Sequence, residues 1–248
     1  MIKTIKKINS TNFNFSYRMS LCLIQITLIF LYFLIIAGCS TVSKTTYTNS
    51  YKSCLADKEL YQARSAELQS IVKSDQEDRI NFEMKTSEEL QGMASRDVVR
   101  RKRVGEIFGE GCLQSAADFS AAALIYQHGD VSDHFMQSFL WSKRAVVLGD
   151  AKQKDLKALG IDRYLVNTGH KQLFGSQATK TDLSAKGCWC LHMIEPSFPE
   201  NLRFEFSKRT KKDFINWVSS MNQGQECKKL ECEVELKPTP KGTILGFW

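Results

Sequence analysis

Five short stretches carry the side chains that could do chemistry. KSDQEDR holds Asp75, Gln76 and Arg79, with Asp78 beside them, and IYQHGD holds Gln127 and His128. IDRYL holds Asp162 and Arg163, and GHKQLFGSQ holds Gln172, Ser176 and Gln177. The fifth, RDVVRRKR, sets five cations around Asp97 between Arg96 and Arg103. A histidine oriented by an aspartate is the usual general base, and guanidinium forks match carboxylate and phosphate oxygens, so hydrolysis of an anionic substrate is one reading. Each stretch also has a plainer account. Asp75 and Arg79 stand four apart in the favoured acid-before-base order, a helical pair worth a few tenths of a kcal/mol. His128 sits where a helix stops at Gly129, and a histidine there gains from the helix dipole. The arginine run reads first as a solvated face, and the GHKQLFGSQ loop as either a self-bonded turn or a binding wall.

The elements that must position these groups are helical. Ser53 to about Lys85 lacks Gly and Pro, with Leu60, Leu68, Ile71 and Val72 at near-helical intervals, which predicts one long helix. Ser95 is a plausible N-cap for the next, striped by Val104, Ile107 and Phe108 and stopped near Gly109 and Gly111. Ala116 to His128 predicts a central helix burying Ala117, Ala121, Leu124 and Ile125. Ser132 is expected to cap a helix whose Phe135, Phe139, Leu140 and Val147 face a core before Gly149. Asp150 to Thr168 makes another, weakened by Gly160 and closed by Gly169. Short connections imply antiparallel packing. In the tail, GCWCLHMI, LRFEF and ECEVEL read as strand-like, and Thr210 to Met221 as a helix. The expected class is mainly α: an antiparallel helical bundle (53–180) with a small disulfide-stapled α+β C-terminal extension (181–248).

The N-terminus speaks of export. Lys3, Lys6, Lys7 and Arg18 precede an apolar run from Leu21 to Ile36 that exits through small residues, the pattern of a signal peptide over residues 1–38. Ile36-Ala37-Gly38-Cys39 looks like a bacterial lipobox. That resemblance implies that Cys39 becomes the lipidated, palmitate-bearing first residue, and Ser40 behind it points to the outer membrane, facing the periplasm or the cell surface. The polar stretch from Cys39 to Lys52 then acts as a tether. Removing residues 1–38 takes away four of the 34 Lys and Arg and none of the 27 Asp and Glu, so net charge falls from +7 to 30 − 27 = +3. That weakly basic balance gives no case for nucleic-acid binding.

Export also governs the cysteines. Of the eight, Cys22 leaves with the signal and Cys39 carries lipid, so 8 − 2 = 6 remain. Cys54, Cys112, Cys188, Cys190, Cys227 and Cys232 are even in number in an oxidising compartment, which predicts disulfides. Six cysteines allow 15 pairings. Cys54–Cys112 plus two bridges within the tail is the economical choice. The alternative, zinc on Cys188, Cys190 and His192, lacks a recognised ligand spacing; neither a metal nor a cofactor is expected.

Taken in order, DQEDR, RDVVRRKRV, AALIYQHGD, GIDRYL and GHKQLFGSQ resemble a family of uncharacterised bacterial domains with the signature DQxxR, QHGD, DR and QxYGTQ. The resemblance spans about residues 70–180, with a weaker continuation through WCLHMIEPSFPENLR. It implies a shared polar set: Asp75, Gln76, Arg79, Gln127, His128, Asp162, Arg163, Gln172 and Gln177. Phe174 and Ser176 stand where that family has tyrosine and threonine. The family brings no activity with it. AALIYQHGDVSDHFMQSFLWSKRAVVLGDA is also similar to one unit of the Sel1 type of helical repeat, but one copy makes no solenoid. Without a GxSxG, HExxH, cysteine–histidine or P-loop motif, the sequence leans away from an enzyme. The leading expectation is a lipid-anchored module that binds or inhibits an envelope protein or recognises peptidoglycan. The alternative is a hydrolase-like enzyme with His128 as base, which requires Asp75, Arg79, His128, Asp162, Arg163 and Gln177 to converge.

Overall fold

Helix α1 (Lys58–Glu77) begins at Asp57, whose side chain accepts a hydrogen bond from the Leu60 amide at 2.8 Å. It does not begin at Ser53, because Cys54 is bonded to Cys112 and its amide donates to the Glu110 carbonyl at 2.9 Å, which turns the chain before the helix can start. The computed structural model describes residues 53–81, 85–181, 187–222, 224–227 and 229–248. The stretch expected to be a signal peptide (1–38), Cys39 and the expected tether to Lys52 lie outside the described residues.

Helix α2 (Ser87–Gly109) is entered through Thr86, which shares a reciprocal capping box with Glu89. Two orphan amides are satisfied at once, so the helix starts earlier than expected. Ser95 lies inside it and returns its hydroxyl to the Gln91 carbonyl at 3.0 Å. Helix α3 (Ala116–Gln127) uses a second capping box, Ser115 with Asp118. Its buried face is Ala121, Ala122, Ala123 and Ile125, while Ala117 is exposed. Helix α4 (Ser132–Val147) follows Val131 with no side-chain cap, so Ser132 is its first residue. Phe135, Phe139, Trp141 and Ala145 turn inward, whereas Leu140 and Val147 are exposed. A single 3₁₀ turn (Ala151–Gln153) leads into α5 (Lys154–Asn167). Gly149 and Gly169 end α4 and α5 at φ +108° and +78°, where a side chain would be strained.

Helix α4 lies between α3 and α5 and packs closely on both. Gly160 makes the second approach possible: a Cβ there would lie 3.0 Å from the Phe139 amide nitrogen and 3.3 Å from the Phe135 carbonyl oxygen. The expected weakness of α5 at Gly160 is thus the condition for its seat against α4.

The fold is mainly helical, with one small antiparallel sheet. Strand β1 (Ala178–Lys180) pairs with β2 (Trp189–Leu191) in the register Ala178 to Leu191 and Lys180 to Trp189. LRFEF, expected as strand-like, is helical within α6 (Glu200–Ser207), because Leu202 and Phe206, four apart, both pack on the core while Phe204 is exposed. Helix α7 (Lys211–Met221) starts at the Thr210–Asp213 capping box. ECEVEL contributes only a bridge from Glu231 to Leu191. The disulfides are Cys54–Cys112, Cys188–Cys227 and Cys190–Cys232. The described residues from Ser53 onward form one compact unit, and Ala158, Ile161 and Leu165 of α5 share a core with Phe198 and Ile244 of the tail. No helix among the described residues is long and apolar enough to cross a membrane.

Candidate functional site

The site is built where α3 ends. Asp75, in the last turn of α1, is fully buried, and its Oδ1 meets both Arg79 Nη1 at 2.8 Å and His128 Nδ1 at 3.1 Å. Its Oδ2 accepts from Gln76 Nε2 at 2.8 Å. Burial works against the Asp75 charge, yet the bond from His128, followed by the charges of His128 and Arg79, holds its pKa below the usual carboxylate value. With Nδ1 engaged by Asp75, the other ring nitrogen of His128, Nε2, has no protein partner among the described residues, and the side chain is 21% exposed.

The arginine run on α2 is not a free cationic surface: its four arginines are engaged by carboxylates, while Arg96 and Lys102 stay exposed to solvent as a solvated face would have them. Arg79 reaches across to Asp97 at 2.8 Å, and Arg100 joins Asp97 to Asp78 and to the Ser74 carbonyl. Arg96 makes a two-pronged contact with Asp78, both distances 2.8 Å, and its bond leads the effects that hold Asp78 far below its ordinary pKa. Arg103 pairs with Glu67 on α1. Arg101 is buried and donates to the His128 carbonyl and to Asp130 Oδ2, both at 2.7 Å. Beyond Arg101, a cleft of about 300 Å³ is lined by Val98, Lys102, Gly105, Tyr126, Asp130 and His134. Asp97 is the residue the sequence reading passed over: set among five cations it reads as a minor neutraliser, but three residues before Arg100 it becomes the hinge of the network.

Gly129 does not hold the left-handed conformation expected after a helix end; among the positive-φ residues it is absent. It is required for space instead. A Cβ at 129 would fall 2.3 Å from the Cβ of His134, so the turn into α4 closes only on glycine.

The second group enters from α5. Arg163 donates from Nη1 to the Gln127 carbonyl at 2.6 Å and from Nε to Gln177 Oε1 at 3.2 Å, with its guanidinium 5.5 Å from the Phe135 ring. Among the described residues it has no carboxylate within ion-pair distance. Burial, and then the positive charge of Arg79, push its pKa below the ordinary arginine value. Asp162, its neighbour, faces the other way. Oδ1 accepts from the Leu173 and Phe174 amides at 2.8 and 3.0 Å, and Oδ2 from the Gly175 and Ser176 amides and the Ser176 hydroxyl, each at 2.9 Å. Burial raises the Asp162 pKa above its ordinary value, against the lowering effect of the bonds from Phe174, Ser176 and Leu173. Gln172 completes the loop: its amide donates to the Gln177 and His192 carbonyls at 3.0 and 2.7 Å and accepts from the Gln177 amide at 2.8 Å.

Of the ten polar residues expected to act together, Asp75, Gln76, Arg79 and His128 form one bonded group, and Arg163, Ser176 and Gln177 form another with Asp162 and Gln172 behind them. Adjacent residues in the chain, Gln127 and His128, join the two. Asp162 and Gln172 face into the loop, whose crowding of polar side chains is the self-bonded turn rather than a wall of free groups. Among the described residues, two buried side-chain atoms lack partners, Gln127 Oε1 and His192 Nδ1. The zinc alternative loses its thiolates, since Cys188 and Cys190 are both in disulfides, and among the described residues no three His, Cys, Asp or Glu side chains gather as metal ligands. Set beside models of protein families, curated proteins and solved structures, the chain matches none.

Proposed function

We propose that this chain is a lipid-anchored envelope protein whose α3 end is a recognition surface for an envelope protein or a peptidoglycan component. The observation that carries the reading is Arg163, a half-buried guanidinium that has no carboxylate partner among the described residues, beside the partly exposed His128. Groups already matched inside a protein hold it together; a group left unmatched at a partly open position is available to a ligand. The IAGC motif supports the anchor, and acylation at Cys39 would hold the domain at the outer membrane through the 39–52 tether.

A second reading has its own support. Asp75 engages His128 Nδ1 and leaves Nε2 without a protein partner, the arrangement of an oriented general base. Among the described residues no hydroxyl or thiol is bonded to His128, so a hydrolase built here would activate water rather than a side-chain nucleophile.

The test compares the Cys39→Ser chain with the same chain carrying Arg163→Gln or His128→Ala, each incubated with washed envelopes and with purified peptidoglycan. Saturable retention that falls about tenfold in the Arg163→Gln protein supports recognition. Retention that is absent, or indifferent to Arg163→Gln, removes the reading. Turnover that disappears with His128→Ala would move the assignment to the enzyme.

A further inference from the structure

Arg163 stands apart in the charge inventory around the α3 end. Arg79 is paired with Asp75 and Asp97, Arg96 with Asp78, Arg100 with Asp97 and Asp78, and Arg101 with Asp130. Five guanidinium groups therefore face four carboxylates, and the unmatched one is Arg163. The end of α3 supplies it with roughly half an elementary charge through the Gln127 carbonyl, but Arg101 draws on the same helix end through the His128 carbonyl. Only two of the five N–H groups of Arg163 are engaged, one at Nε and one at Nη1, and Nη2 has no protein partner among the described residues. The requirement is for one negative charge with oxygens that can meet a fork.

A second observation narrows the chemistry. Gln127, whose carbonyl holds Arg163 and whose neighbour is His128, is 5% exposed, yet its side-chain Oε1 has no donor. A buried acceptor without a donor carries a desolvation cost of about 1–3 kcal/mol. None of the side chains bonded to Asp75 donates to Gln127 Oε1. The residue whose carbonyl holds the unmatched cation thus also carries an unmatched buried acceptor. A single chemical group answers both: a carboxylate with a hydrogen-bond donor across one intervening carbon.

We infer that Arg163, Gln127 and His128 form a subsite for a carboxylate flanked by an amide N–H, as at the C-terminus of a peptide. The carboxylate takes the free Arg163 N–H groups, the amide N–H meets Gln127 Oε1, and His128 Nε2 borders the site with its ring fixed by Asp75. This deepens the recognition reading and rests on it for biological meaning.

The test uses small probes on the Cys39→Ser chain: N-acetylglycine, acetate, N-acetylglycinamide and inorganic phosphate, at constant ionic strength. The readouts are the His128 ring resonances and the melting temperature. N-Acetylglycine is expected to give saturable shifts, acetate weaker ones and N-acetylglycinamide none. Arg163→Gln should weaken N-acetylglycine by about tenfold or more. Gln127→Met, close in volume, should leave the acetate response and remove the preference for N-acetylglycine over it, which keeps the proposal testable if Arg163→Gln does not fold. Absence of a saturable response in the parent chain, retention of it in Arg163→Gln, or tighter binding of phosphate than of N-acetylglycine would each overturn the assignment. If the probes fail while envelope retention still depends on Arg163, the subsite falls and the recognition surface stands. If the probes bind while envelopes are not retained, the subsite stands and the envelope partner falls.

Discussion

Asp75–Arg79 and Asp162–Arg163 are two acid–base pairs drawn from the same two residue types, and the fold uses them in opposite ways. At α1 the carboxylate of Asp75 is matched by side chains, and its arginine goes on to Asp97. At α5 the carboxylate of Asp162 is matched by four backbone amides and one hydroxyl, so its arginine is left without an anion. Spacing decides this. Four residues along a helix return two side chains to one face, whereas adjacent residues diverge by about a hundred degrees and cannot share a partner. The first pair locks three helices together; the second shapes a loop on one side of α5 and presents a charge on the other.

The sharpest way to break that contrast is at Asp162. Asp162→Ala would strand the Leu173, Phe174, Gly175 and Ser176 amides, three of them buried. Each orphaned buried donor costs about 1–3 kcal/mol, so chemical denaturation should record a loss of about 4 kcal/mol or more, little altered by salt. Asp75→Asn is expected to cost about 2 kcal/mol at neutral pH, since it removes the charge facing Arg79 and His128 while keeping the shape. Because the folded-state pKa of Asp75 is depressed, its stabilisation is present above the ordinary carboxylate range and is lost as pH falls through the lower folded value. The gap between parent and Asp75→Asn should therefore close in denaturation curves taken below about pH 4; a gap that stays constant would show that Asp75 acts by shape alone. The smallest effect belongs to Arg96→Ala. Its side chain is 51% exposed and Arg100 also serves Asp78, so the loss should be the smallest of the three and shrink in high salt.

Much of the frame was readable from the chain. Small residues in α3, the glycine stops at 149 and 169, and the even cysteine count lead to the helical bundle and to a Cys54–Cys112 bond. What escaped has definite causes. Ser95 looks like a cap by type alone, but Thr86 wins because Glu89 answers it three residues on. FEF in LRFEF alternates like a strand, yet only Leu202 and Phe206 pack on the core, and that spacing is helical. At the site, the sequence gathers Asp75 and Asp162 into one polar set because it records side-chain types and not where they point. The inward turn of Asp162 depends on four consecutive amides of residues 173–176, a property of backbone conformation that no side-chain motif announces.

Gly160 ties the mechanics of this site to the packing of α4 and α5. Arg163 sits one turn further along α5, and Phe135, whose carbonyl lies against Gly160, also supplies the ring beside the Arg163 guanidinium. The absent methyl group is therefore a calibrated clearance. It sets how far α5 stands off α4, and with that standoff the reach of Arg163 to the Gln127 carbonyl. A spacer of a single carbon at 160 would act as a wedge under a lever and shift the guanidinium without touching it. The tolerance of the whole polar face is in this sense set from beneath, by a residue with no side chain.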